Sequence, residues 1–187
     1  MQRETVERAI AGDKAAFSSL VEAAASQQYA IASLILRDRD RAQDAVQDAL
    51  ILAWRNISAL RVPDAWDAWL RRLTVRACFA ASRRERRRSR VEVPAILGHE
   101  PAAQGDDILA LAERDRMRRA LDRLAIEQRA VIVLVYYVGL SLSDAAVSLD
   151  IPVGTAKSRL HRGLGVMRRA LDAPMSDPNA LSSERAT

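Results

Sequence analysis

The stretch SLSDAAVSLDIPVGTAKSRLHR at residues 141–162 admits few folds. Ser141 can cap a helix, and Asp144, three residues on, fits a capping box. Ala145, Ala146 and Leu149 then recur at helical spacing. Asp150 and Ile151 leave room for only a short turn, and Pro152 suits the first turn of a second helix over about 152–171. Gly154 and Thr155 are expected to cap it. This is the grammar of a helix-turn-helix. The second helix carries Lys157, Ser158, Arg159 and Arg162 near its N-terminal end, the end that meets base edges when such a helix enters a major groove. Lys and Arg pair with guanine there, and Ser or Thr with several bases. Two helices packed on a small core with a solvated basic face would share this pattern, and short motifs of this kind have false positives.

The remainder of the chain also predicts helices. Ala, Leu and Arg dominate its 187 residues, while Gly and Pro are scarce at 7 and 6. A short helix is expected over Thr5–Ile10, ended by Gly12. Asp13 can cap a second over 14–24, a third follows over 27–36, and Asp40 can cap a longer one to about Ile57. The pattern breaks from Asn56 to Val62, and Pro63 opens a helix running to about Arg87. Ser89 to Gln104 has no helical periodicity and reads as a linker. Helices resume over 106–124 and 127–138. The run VIVLVYYV at 131–138 is rich in β-branched residues and alone could form a strand; its helical surroundings favour a buried helix. The tail from Ala173 is polar and Pro-containing, as disordered segments are. The expected fold class is all-α: two small helical domains at 1–88 and 106–172, a flexible linker at 89–105, and a disordered tail at 173–187.

Several function classes recede at once. Cys78 is the only cysteine, so the chain has no disulfide framework and no cysteine-based zinc site. With Ala77 and Phe79 as neighbours it reads as a buried, inert thiol. The opening MQRETVERAIAGDK lacks the apolar core of a secretory signal, and the longest apolar run is too short to span a bilayer. A cytoplasmic protein without membrane insertion is expected.

The net charge is +5, but its distribution says more. Between residues 71 and 90 stand nine Arg and one acid, Glu85. Clustered Arg is the electrostatic footprint of phosphate contact. Trp66 and Trp69 lie three apart on the same helix; aromatics beside Arg are what single-strand binding uses, although Trp66 reads better as core and Trp69 fits either role. Asp44 and Asp48, four apart with Gln47 beside Asp48, share one helical face. A solvated acidic face or a docking face for a basic partner both fit. Acid–base or metal chemistry lacks support, since His99 and His161 are far away in sequence.

In five ordered segments, GDKAAFSSLV, RDRDRAQDAVQDALILAWR, LRVPDAWDAWLRRL, RLAIEQRAVIVLVYYVGLS and IPVGTAKSRLHR, the chain resembles a bacterial RNA polymerase sigma factor of the extracytoplasmic-function type, over about residues 5–172. The resemblance implies sigma region 2 followed by region 4. It implies a non-catalytic protein without cofactor or small-molecule substrate, which binds core polymerase and directs promoter-specific initiation. It places Asp44, Gln47 and Asp48 in the segment that docks on the β′ clamp, and the 131–138 helix in the domain that meets the β flap. Thr155, Lys157, Ser158, Arg159 and Arg162 fall in the reader of the −35 element. Leu60, Arg61, Trp69, Arg72 and Arg76 fall in the reader of the −10 element, where an unstacked base is captured. An anti-sigma factor is an implied partner.

This chain departs from the family pattern at a few positions. Arg76 stands where Asn is frequent, which puts the −10 base preference in doubt. Leu50 replaces a common Phe. Asp150 replaces the usual turn Gly, which Asp tolerates in the left-handed region. Gly163 and Gly165 interrupt the recognition helix at about 1 kcal/mol each against Ala, so its end is expected to fray without DNA. Two alternatives stand beside promoter-specific initiation: a free-standing helix-turn-helix regulator, and a sigma-like decoy that binds an anti-sigma factor.

Overall fold

The computed structural model describes residues 2–88 and 108–172. Among them the chain runs through α1 (Gln2–Ile10), α2 (Lys14–Leu36), α3 (Arg39–Asn56), two single 3₁₀ turns (Ile57–Ala59 and Pro63–Ala65) and α4 (Trp66–Arg88). The second half holds α5 (Ile108–Asp122), α6 (Ile126–Ile132) with a wider π turn at Val133–Tyr137, α7 (Leu142–Leu149) and α8 (Val153–Asp172). No strand occurs among the described residues, so VIVLVYYV is helical. Ile132, Val133 and Leu134 are buried there, and burial outweighs the β preference of their side chains.

Local chemistry sets the helix ends. Asp13 accepts from the N–H groups of Ala15 and Ala16 at the start of α2. Helix α2 then runs unbroken, where two helices were expected. Its polar stretch Ser26–Gln28 is held because Gln28 is buried and its Oε1 accepts from Thr74 Oγ1 of α4 at 2.9 Å. Arg37 closes α2 in the left-handed region at φ 59°, its N–H returning to the Ser33 carbonyl. The cap of α3 is Asp38 rather than the expected Asp40: Asp38 accepts from the Arg41 N–H at 2.9 Å.

Helices α1 to α4 pack around Val6, Leu20, Ala53, Ile57, Trp66 and Leu70. Phe17 lies edge-on to both Trp54 and Trp66, with centroids 4.9 and 6.0 Å away. A second core joins the two halves. Ile31, Ile35, Ala49, Val75 and Cys78 of the first half cluster with Val131, Leu134, Ala145 and Leu149 of the second. Helix α2 lies against α6, and α4 against α7. No residue pattern marks this contact in the sequence, because each stripe reads equally well as the private core of its own domain. Arg129 pins the junction. Its guanidinium donates to the carbonyls of Leu121 (3.0 Å), Leu124 (2.9 Å) and, across the junction, Ile35 (2.8 Å). Burial pushes the pKa of that guanidinium down. The linker and tail expectations lie outside the described residues.

Candidate nucleic-acid interface

The helix-turn-helix forms as its residues dictate. Ser141 Oγ accepts the Asp144 N–H at 3.1 Å and donates to the Asp144 carboxylate at 2.6 Å. The expected return bond from Asp144 to the backbone is replaced by this side-chain contact. Asp150 takes the left-handed conformation (φ 56°, ψ 47°) that ends α7. The Ile151 N–H returns to the Ala146 carbonyl at 3.1 Å, and Pro152 stands just before α8. Gly154 and Thr155, expected as its cap, lie inside its first turn, because the Pro152 carbonyl already accepts from the Thr155 and Ala156 N–H groups at 2.9 and 3.1 Å.

Helix α8 buries Ala156, Gly163 and Met167. At about 100° per residue these three share one side of the helix. Lys157, Ser158 and Arg162 then point the other way. Lys157 and Arg162 are exposed, and Ser158 is half-buried. Arg162 donates through Nη2 to Ser158 Oγ and through Nε to the Ser158 carbonyl, both at 3.2 Å, which fixes its fork along the helix. Thr155 and Arg159 flank this face and are half-buried. His161, which the sequence reading left out, is exposed on the same outward face between Lys157 and Arg162; its place relative to the buried stripe was the available signal. Gly163 has a packing reason. A Cβ there would sit 2.8 Å from Ile132 Cδ1 of α6, so the missing side chain is what lets α8 approach α6 this closely.

On the first half, Arg61 lies exposed in the extended segment between the two 3₁₀ turns. Leu60, expected among the base-contacting residues of this loop, is only 8% exposed and packs with the Trp66 and Leu70 cluster. Its apolar side chain gains more from that core than from water, so it supports the loop from beneath. Trp66 is core at 2% exposed, whereas Trp69 is half-buried, 5.8 Å from Trp66 between ring centroids. Arg72 is half-buried, and its buried Nε has no hydrogen-bond partner. Arg76 is exposed and reaches Asp150 of the helix-turn-helix, Nη2 to Oδ2 at 3.0 Å.

The acidic face of α3 splits. Asp44 and Gln47 are exposed and outward. Asp48 accepts from Arg84 of α4 at 3.1 Å. Beyond it, Ile51 and Leu52 are exposed on the wall of a groove of about 390 Å³ between α3 and α4, also lined by Arg55, Ala77 and Ala80. Among the described residues no group of His, Cys, Asp and Glu could hold a metal, and no helix is long and apolar enough to cross a membrane.

Comparison with known proteins decides the family. Residues 20–88 match the model of sigma-70 region 2, and residues 114–166 match that of sigma-70 region 4. The ECF RNA polymerase sigma factor SigM of Mycobacterium tuberculosis is 34% identical, over 87% of this chain and 80% of that protein. The chain belongs to the sigma-70 family, as an ECF RNA polymerase sigma factor. SigW of Bacillus subtilis, another ECF sigma factor, is 27% identical over 91% of this chain and 97% of its own length. The sigma factor RpoE of Bartonella quintana, solved with its anti-sigma factor NepR, is similar with a TM-score of 0.66 at 26% identity, over 83% of this chain and 96% of that one. CnrH, solved with the cytosolic domain of CnrY, has the same fold: TM-score 0.66, 24% identity, over 91% of this chain and 97% of that one. An ECF sigma factor is not an enzyme; it binds RNA polymerase and DNA and directs transcription initiation.

Proposed function

We propose that this sigma factor reads the −35 element with the outward face of α8 and the −10 element with the loop at 56–63 and the helix α4 that follows. The carrying observation is the division of α8. Its buried stripe leaves Lys157, Ser158 and Arg162 together on one outward face, with Thr155 and Arg159 at its edges. Lys157 and Arg162 supply charge to phosphate and guanine, and the bond to Ser158 orders Arg162 before DNA arrives. At the other element, Arg61, Arg72 and Arg76 supply cations around a captured base, with Trp69 beside them. Leu60 shapes the loop. Asp44, Gln47 and Asp48 form the contact for the β′ clamp, which must take Asp48 from Arg84. The domain built on α6 and its π turn meets the β flap, and the exposed Tyr136 and Tyr137 make it suited to that. An anti-sigma factor is a further partner, a reading supported by the relative solved with NepR.

Run-off transcription tests the whole reading, using purified chain, sigma-free core polymerase and fragmented genomic DNA of its own source. Discrete transcripts that need the chain are expected. Asp48→Arg should weaken core binding with the helical content unchanged. Arg162→Ala should reduce transcription from −35-dependent promoters while sparing a template with a pre-melted −10 bubble. Absence of core binding would overturn the reading in favour of a free-standing regulator.

A further inference from the structure

Two glycines interrupt α8, and only one of them has a packing reason. Gly163 lies against Ile132 of α6. Gly165 faces the other way. At about 100° per residue it stands opposite the buried stripe of Ala156, Gly163 and Met167, in the middle of the outward face. A Cβ there would meet nothing within 4 Å except Arg169 Nη1, at 3.7 Å. Glycine on the solvent side of a helix costs stability against alanine, so folding alone does not favour it. Such a glycine has its use where a ligand must come close to the backbone.

The neighbours of Gly165 fix the charge of what approaches. On a helix surface the adjoining positions lie three and four residues away in each direction. Here these are His161, Arg162, Arg168 and Arg169, all exposed. Three guanidiniums and an imidazole therefore ring a bare patch of helix backbone. The only carboxylate of α8, Asp172, lies a further turn away, past Arg168. The place along the helix also fits. At 1.5 Å per residue, Gly165 lies about 8 Å beyond the midpoint of the reading positions 157–162. The major groove is about 12 Å wide, so readers at its middle carry Gly165 out to the rim, where a sugar–phosphate strand passes.

We infer that Gly165 is the floor of a phosphate seat. A backbone phosphate of the promoter duplex beside the −35 element lies directly on α8, held by Arg168 and Arg169, with His161 and Arg162 closing the near side. The inference rests on the assignment of the outward face of α8 to −35 DNA. The contact carries no sequence information. It fixes the depth and angle of the helix, and so sets Lys157, Ser158 and Arg162 against the bases. A side chain on the floor would hold the phosphate away from all four neighbours.

The test uses the full-length chain assembled with core polymerase, bound to promoter DNA recovered in the run-off assay. Gly165→Ala and Gly165→Leu fill the floor. Arg169→Gln removes one guanidinium and leaves the floor bare, and Lys157→Ala serves as the base-reading control. Thermal melting reads stability, and binding is followed from low to high KCl. Log affinity falls with log salt by about 0.9 per phosphate contact, so one lost contact is about fivefold at 0.15 M. Both glycine variants should melt above the wild type and yet bind about fivefold more weakly or worse, Leu more than Ala. Arg169→Gln should bind about fivefold more weakly, with a salt slope shallower by about 0.9. Glycine variants that melt higher and bind as the wild type does would overturn the seat. If Lys157→Ala alone weakens binding, only the seat falls; if it too has no effect, the −35 assignment falls as well. Should the glycine variants melt lower, Arg169→Gln decides alone, and an unchanged salt slope would overturn the seat. Failure to recover any promoter would remove the reading on which the seat rests.

Discussion

At the scale of single residues, burial converts ordinary groups into inert or structural ones. Cys78 is 0% exposed, and the loss of water around it disfavours the thiolate, pushing its pKa up to about 12 from an ordinary value near 9. The folded chain therefore keeps the neutral thiol. Two consequences follow. At pH 8 the native thiol should react slowly with iodoacetamide, and it should react at the rate of a free cysteine once the chain is unfolded in urea. Stability tied to this group is fully present below pH 9, where both states hold the proton. It falls as pH rises from about 9 towards about 12, because only the unfolded chain ionises there. Urea unfolding of the wild type and Cys78→Ala across that range isolates the effect. The wild type should lose on the order of 4 kcal/mol relative to the variant, three pKa units at 1.36 kcal/mol each. A difference that stays constant with pH would mean the thiolate is solvated in the fold.

Among the helices, the two glycines of α8 make opposite predictions from one residue type. Gly163 faces α6, where a Cβ would meet Ile132 Cδ1 at 2.8 Å and Gln128 Cβ at 3.3 Å. Gly165 has only the mobile end of Arg169 within reach, at 3.7 Å. Gly163→Ala gains about 1 kcal/mol of helix propensity but overpacks the α6 contact by about 1–3 kcal/mol, so its Tm should fall or at best hold. Gly165→Ala keeps the propensity gain, and its Tm should rise by a few degrees. Thermal melts of both variants compare them directly; a rise for Gly163→Ala would show that α6 and α8 give way freely. The sequence reading charged both glycines with the same cost because helix propensity is local, whereas the approach of α6 is not. Other elements divide along the same line. The helix-turn-helix and its left-handed Asp150 were legible, because caps, turn residues and apolar spacing are written within a few residues; VIVLVYYV, whose own residues suit a strand, was legible as helix only through its helical surroundings. The continuity of α2 was not: it depends on Gln28 meeting Thr74, 46 positions away. Leu60 reads as loop from its neighbours, and only Trp66 and Leu70 folding back over it make it core. At the site, spacing brought out Lys157, Ser158 and Arg162, while the pairings of Asp48 with Arg84 and Arg76 with Asp150 required the fold.

For the whole molecule, the shared core changes what unfolding should look like. Two domains on a linker would melt independently, each with its own midpoint. Here Ile31, Ile35, Val75 and Cys78 lose their partners if the second half unfolds, and Val131, Leu134, Ala145 and Leu149 lose theirs if the first does. A single transition is expected in calorimetry, with equal calorimetric and van't Hoff enthalpies. Arg129 is the polar group on which that coupling depends most. It is 9% exposed and serves carbonyls from three separate points of the backbone, one of them across the junction. Arg129→Met fills similar volume but leaves the Ile35 and Leu124 carbonyls without this donor, at a cost of about 1–3 kcal/mol for each that stays dry, while the Leu121 carbonyl keeps the Leu124 N–H at 3.1 Å. The ends of α2 and α5 would then rearrange to reach water, and the junction is the place where they can do so without opening either half. The variant should therefore show a lower first midpoint and a split into two transitions, the first half surviving longer than the second. Arg129→Lys should behave in the same direction, since one ammonium cannot hold the fork geometry that meets three acceptors at 2.8 to 3.0 Å. A wild-type chain that already melts in two steps would separate the halves energetically and leave Arg129 as a local cap of α5.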